Sequence, residues 1–297
     1  MQFIKWVVNL ITRKAMLKFF FSIMLLVVLF SCSSNIPEPE TPKVVQNTGR
    51  MLSLDGGDTH IAYEYDNLGR VVYAERFDYW WDTQKYISEY RYDKDRIYID
   101  HQQYKELPEG GYDPNDRNNM FHKDTLFLVD GRVDSCAGAR QDGNRFFFKF
   151  RYNERGELTY ARNENVNPKF KKNPWYTEQH TFEWQDGNII QRTCFIPNGI
   201  PETTVITYSY SSLTGSLVMS DPRHILHDFE ALVANGYFGT ACRNLLQDFE
   251  SSEGYKMQYD YQLDEQQQVW KIVTIRPIND EIIHTMEYLI KWDVAKL

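Results

Sequence analysis

A chain of 297 residues that is 42% hydrophobic and 15% aromatic holds enough apolar mass for a large folded core. Its net charge of −8, with no basic cluster, argues against nucleic acid, whose phosphates are bound through lysine and arginine. The same balance argues against electrostatic docking to anionic lipid.

The first element is at the N-terminus. Lys18 precedes an apolar run from Phe19 to Phe30, interrupted only by Ser22. At 12 residues the run is too short to span a bilayer as a helix and has the length of a signal-peptide core. It ends in Leu29-Phe30-Ser31-Cys32, which resembles a bacterial lipoprotein box with Phe30 in place of a smaller residue. The resemblance implies cleavage before Cys32, lipidation of its thiol and new amino group, and an outer-membrane address, facing the periplasm or the cell surface. Met16 is an alternative start, since residues 1–15 add nothing a signal needs. Removing residues 1–31 leaves 297 − 31 = 266 residues and, with Lys5, Arg13, Lys14 and Lys18 gone, a net charge of −8 − 4 = −12. Anchoring then falls to the acyl chains, because more than one chain holds stably.

Residues 32–58 begin as a Ser/Pro/Glu-rich tether that buries too little apolar area to offset chain entropy. Glu38 and Glu40 faintly resemble a surface-export signal. The remainder, 59–297, reads as one β-rich domain. Its cysteines, Cys136, Cys194 and Cys242, lie far apart without CxxC spacing, so neither zinc nor a redox pair is indicated. A Cys136–Cys194 disulfide and buried free thiols are the two options in an oxidising envelope.

A pattern recurs along this domain. It appears as YEYDNLGRVV from Tyr63, YRYDKDRIYI from Tyr90, FLVDGRVDSC from Phe127, FRYNERGELTY from Phe150, FEWQDGNII from Phe182 and YDYQLDEQQQVWKI from Tyr259. Each copy has an aromatic residue, usually a second two positions on, then turn residues and an apolar run. Period-two aromatics share one face of a strand. Asp, Asn and Gly close short hairpins, with Gly69, Gly131, Gly156 and Gly187 at the turns. With 203–212 and 284–294 added, the spacing predicts some twelve to fourteen antiparallel strands.

One segment departs from the pattern. Asp221-Pro222 reads as a helix start, Ile225, Leu226, Phe229, Leu232 and Val233 recur at helical spacing, and Asn235-Gly236 reads as a stop. Residues 243–250 read as a short second helix. The predicted architecture is a mainly β, single antiparallel meander curled toward an open or half barrel, with one helical insertion at about 222–250.

The aromatic-x-aromatic-Asp-x-x-Gly-Arg units resemble YD-type repeats of bacterial surface proteins. The residues concerned are Tyr63, Tyr65, Asp66, Gly69 and Arg70 in the first unit and Phe150, Tyr152, Asn153 and Gly156 in the fourth. With the late NGYFGTACRNLL insert at 235–246, the whole resembles a gut-bacterial lipoprotein family of unknown function with a porin-like fold. That resemblance implies no activity and no catalytic residue. The second unit lacks the glycine, and the last has a longer turn. Membrane-spanning strands are not expected, because Glu64, Glu89, Arg91, Lys149 and Arg151 oppose the aromatic face.

The sequence holds no GxSxG, no GxxxxGK and no HExxH. His224 and His227, with Asp221 and Asp228, read as helix-cap and core-flanking residues rather than metal ligands. The DKD at 93–95 and DPND at 113–116 read as turns rather than calcium loops. No cofactor is implied. Tyr79, Trp80, Trp81 and Trp175, in polar links, are candidate contacts for a glycan, a peptide or an envelope protein. The reading is a lipid-anchored binding or structural module, not an enzyme. Alternatives are a carrier of an apolar ligand on the aromatic face under a helical lid, and an envelope hydrolase.

Overall fold

The structure is a computed structural model. It describes residues 50–56, 59–78, 84–105, 112, 120–141, 143–166, 175–197, 202–215, 217, 221–223, 229–278 and 282–293, all within one compact unit, 42–297. The strands are β1 (Arg50–Gly56), β2 (Thr59–Tyr65), β3 (Val71–Asp78), β4 (Gln84–Tyr92), β5 (Arg96–Lys105), β6 (Met120–Val129), β7 (Arg132–Arg140) and β8 (Arg145–Tyr152), then β9 (Leu158–Val166), β10 (Trp175–Gln185), β11 (Asn188–Ile196), β12 (Glu202–Thr214), β13 (Asn244–Ser251), β14 (Lys256–Leu263), β15 (Val269–Ile278) and β16 (Ile282–Asp293). Each pairs antiparallel with the next, and β1 pairs with β16. The sheet is a closed barrel of 16 strands.

This corrects the open or half barrel. Closure comes from β1, which lies before Thr59 and carries no aromatic pair; its pairing with β16 joins the first and last strands. The helical insertion at 222–250 is also overturned. Among the described residues the one helix is α1 (Glu230–Ala234), and 244–250 of the second predicted helix, 243–250, falls in β13, paired to β12 and β14. Short apolar runs are ambiguous by periodicity, and here the neighbouring strands decide. Residues 224–228, with His224, His227 and Asp228, lie outside the described residues.

The recurring pair has a physical cause. Its first member points into the barrel and is buried: Tyr63, Tyr90, Phe150, Phe182, Tyr208 and Tyr259 are all at most 8% exposed. Its second member sits where the pairing with the preceding strand stops. The β7–β8 register ends at Ser135↔Lys149, and the Tyr152 hydroxyl donates to the carbonyl of Val133, two residues beyond, at 2.8 Å. Tyr65 donates likewise to Met51, Tyr92 to Val71, Trp184 to Leu158, Tyr210 to Ile189, Tyr261 to Leu246 and Trp292 to Val269. Each ring replaces the ladder bond lost where two strands splay, so no buried carbonyl is stranded. Two even strands lack the full aromatic pair: β16 has Ile290 before Trp292, and β6 has Leu126 and Leu128, where the ladder reaches Arg96↔Phe127 and Leu128 N–H donates to Asp95 O.

The turns at this rim follow from their residues. Asp66 accepts from the N–H groups of Leu68 and Arg70, and Asn153 from those of Arg155 and Glu157. Asp130-Gly131 and Asp186-Gly187 hold φ of 51°/75° and 51°/81°, as two-residue hairpins require. The last turn is no longer than the first. Asp264 N–H donates to Gln268 O as Asp66 N–H does to Arg70 O, and Gln267 takes the place of glycine.

The β12–β13 connection closes the same rim from inside. Val133 N–H donates to Tyr237 O, Thr240 N–H to Gly156 O and Arg243 N–H to Gly187 O, while Asn235 bridges Val71 N–H and Gly69 O. Phe238 packs edge-on against Phe150 at 5.1 Å, and Phe229 against Phe148 at 5.6 Å. Arg223, 1% exposed, pairs with Asp221 and donates to the carbonyls of Phe238, Gly239 and Thr240.

Candidate functional site

Strand alternation sends two kinds of side chain inward. At the short-turn rim they are apolar, beginning with Val71, Ile97, Val133, Leu158, Ile189 and Val269, each at most 1% exposed. Farther from that rim they turn polar, in two clusters. Among the described residues, these hold the groups of three His, Cys, Asp or Glu side chains whose donor atoms lie within 4.8 Å of one another.

The first cluster spans β4–β6. Ser88 pairs with His101, and His101 with His122. His101 Nδ1 meets Ser88 Oγ at 2.8 Å and Nε2 meets Asp124 Oδ2 at 3.2 Å. The His122 ring stacks on His101 at 4.2 Å. Gly138 makes room beside them: a Cβ there would stand 2.5 Å from Asp124 Oδ1 and 2.0 Å from the Phe146 ring. A Ser–His–Asp chain invites a nucleophilic reading, but Ser88 lies mid-strand, where backbone N–H groups serve the ladder. Ser88 pairs with Ala74 on one side and His101 on the other, and the arrangement is an interior hydrogen-bond chain.

The second cluster spans β10–β12. Glu178 and His180 are two apart on β10, hence on one face, and His180 faces Cys194 across the β10–β11 ladder. Glu178 Oε1 lies 3.3 Å from His180 Nε2 and accepts from the Cys194 thiol at 3.3 Å. The His180 bond holds the Glu178 carboxyl below its ordinary range. Burial, then the Glu178 carboxylate, pushes the Cys194 thiol up to about 12, so it stays protonated at neutral pH. Burial also raises Tyr208 to about 12. Arg192, 6% exposed, lies one same-face step from Cys194, and neither its Nε nor its Nη1 has a protein acceptor. His180 Nδ1 and the Tyr208 hydroxyl also lack a protein partner. A buried guanidinium with free donors is costly, and it suits an anionic group.

The residues singled out from sequence fall elsewhere. Cys32, Tyr79, Trp80 and Trp81 lie outside the described residues, and Trp175 opens β10 with its side chain outside them. The strand ends that flank these positions, Asp78 and Gln84 and then Val166 and Trp175, lie at the rim opposite the plug. Cys136, Cys194 and Cys242 are free thiols, and three strands separate β7 from β11, so the Cys136–Cys194 bridge is corrected. Both interior clusters were missed. Their signal is period-two spacing (Glu178-x-His180, Arg192-x-Cys194, His122-x-Asp124), which acquires meaning only once the register sets partners opposite one another.

No protein-family profile matches the sequence, and no curated protein matches it. Solved structures do. A porin-like protein from Bacteroides uniformis aligns over 86% of this chain and 100% of its own, with a TM-score of 0.55 and 13% identity. A porin-like protein from Bacteroides vulgatus aligns over 83% and 99%, with a TM-score of 0.54 and 12% identity. The fold is porin-like. At these identities the likeness extends to the barrel alone, and the interior clusters of this porin-like barrel are read from its own residues.

Proposed function

We propose that this chain is an envelope lipoprotein whose barrel stands in water, held to the outer membrane by acyl chains on Cys32, and serves as a binding module. The observation that carries the reading is the charge on the outer wall. A membrane barrel presents an apolar band about 25 Å tall, and a lysine or arginine at its midplane costs about 2–4 kcal/mol. Here exposed outward-facing charge recurs around the circumference: Glu64, Arg91, Lys123, Lys149, Glu183, Glu250, Asp260, Glu287 and Lys291. Several pair on the wall, as Lys123 does with Asp100 at 2.9 Å and Lys271 with Glu287 at 2.7 Å.

A plugged rim leaves the opposite one for contact, where β3 ends at Asp78, β4 begins at Gln84 and β10 begins at Trp175. A glycan, peptide or envelope-protein partner is the proposed occupant. The apolar-carrier reading loses support, since the aromatic face packs on itself and on the plug: Phe148 stacks on Phe150 at 6.0 Å, and Phe229 on Phe238 at 5.7 Å.

The test compares wild type with Cys32→Ala in cell fractions. Wild type is expected in the membrane pellet until detergent is added, and the variant in the soluble envelope fraction. Retention of the variant in carbonate-washed membranes would overturn the reading. Partner capture by wild type and by Trp80→Ala/Trp81→Ala then tests the rim, with undiminished capture by the variant counting against the aromatics.

A further inference from the structure

The β10–β11 cluster brings three metal-ligating groups of different type to one point. A four-coordinate zinc-class ion binds nitrogen and oxygen at about 2.0–2.2 Å and sulfur at about 2.3 Å. In a tetrahedron those lengths put two nitrogen or oxygen donors about 3.3–3.6 Å apart and a sulfur about 3.5–3.7 Å from either. Glu178 Oε1 stands 3.3 Å from His180 Nε2 and 3.3 Å from Cys194 Sγ, and all three donor atoms lie within 4.8 Å of one another, so a small side-chain adjustment brings them to one ion. The backbone sets this spacing. Glu178 and His180 share a face by strand period, and the register puts Cys194 opposite His180.

We propose that Glu178, His180 and Cys194 form a three-donor site for a zinc-class divalent cation inside the barrel, with a fourth position open to a small anion. Sulfur, imidazole and carboxylate together select this class over magnesium or calcium, which take oxygen alone. As the ion binds, Cys194 gives its thiol proton to water and its sulfur becomes a ligand in place of a donor to Glu178. Thiolate and carboxylate then neutralise the dication.

The independent observation is Arg192. It is 6% exposed, two residues from Cys194 on the same face, with Nε and Nη1 lacking protein acceptors. Beside a neutral metal–ligand set, that cation makes an anion the favoured fourth ligand. The Glu178 side chain, 28% exposed although it faces inward, gives a way in for the ion. The His101–His122–Asp124 group is the weaker candidate, because both ring nitrogens of His101 are already engaged, by Ser88 and Asp124.

The experiment is a cobalt(II) titration of the purified full-length chain in detergent, followed by absorption and by zinc competition. One equivalent is expected to give a thiolate-to-cobalt charge-transfer band with intense four-coordinate d–d bands, and zinc should abolish both. Cys194→Ser is expected to lose the charge-transfer band and at least tenfold in affinity, while Cys136→Ser and Cys242→Ser keep both. Azide is expected to shift the d–d bands of wild type and to need at least tenfold more concentration in Arg192→Met. Failure of wild type to take up one equivalent of either metal overturns the site without reliance on any variant. So does a charge-transfer band that persists in Cys194→Ser, and an azide-indifferent spectrum overturns the open position.

Discussion

Gln267 shows how one residue departs from the repeat. It holds φ of 62° at the position where Gly69 holds 82° and Gly156 77°. An L-residue in that region pays about 1–2 kcal/mol that glycine does not. Gln267→Gly is expected to raise unfolding free energy by about 0.5–1 kcal/mol in urea titration, after the loss to glycine's greater unfolded freedom. Gly69→Ala should act in the opposite direction, since its Cβ also meets Arg50 Nη2 at 2.7 Å. Asp100 on the outer wall tests charge. Its hydrogen bond from Lys123 holds its carboxyl below the ordinary range. A depressed folded pKa stabilises above the unfolded value of about 3.9, and that contribution disappears as pH falls through the folded value. Asp100→Asn is therefore expected to lose about 0.5 kcal/mol at neutral pH, and the gap to wild type should close at the acid end of a stability–pH profile.

At the scale of elements, the aromatic pair is the working unit, and half of its logic is legible in sequence. That paired rings share a face and that Asx and Gly close the hairpin are local facts. That the second ring donates to a carbonyl on the preceding strand is not, because strand register decides it. Tyr152→Phe removes one donor and leaves the Val133 carbonyl short, at a cost of about 1 kcal/mol. Tyr92→Phe and Tyr261→Phe should cost the same and, on β4 and β14, add to it within about 0.5 kcal/mol in multiple variants. Equal stability in the triple variant would show that the rings only pack. The plug makes a harsher case. Arg223→Met leaves Asp221, 4% exposed, without its cation and strands the carbonyls it held, for an expected loss of about 3–5 kcal/mol. Asp221→Asn together with Arg223→Met should cost less than the two single changes summed, because no unpaired buried charge remains.

At the scale of the molecule, what sequence could not reveal was closure. Eight even strands carry the recurring pair or its apolar equivalent, and six of them, β2, β4, β6, β8, β10 and β14, lead into a short hairpin. Nothing in RMLSLDG, the sequence of β1, announces pairing with β16, and the union links Arg50 to Asp293 across the whole chain. Such contacts carry a large loop-closure cost and form late. The seam is nevertheless closely fitted: a Cβ on Gly56 would stand 1.9 Å from Glu287 O. Deleting residues 50–56 therefore tests the closed sheet directly. The deletion frees the edges of β2 and β16, strips the Tyr65 hydroxyl of the Met51 carbonyl, and uncovers Ile61 and Ile290 beside the lost Leu54. Two unpaired edges on one sheet template pairing with other copies. The deleted chain is expected to leave size-exclusion chromatography with light scattering as dimers and larger species, while Leu54→Ala, which keeps the ladder, stays monomeric and loses about 2–5 kcal/mol. A deleted chain that runs as a stable monomer would show that β2 and β16 seal the barrel between themselves, and that β1 is dispensable to closure.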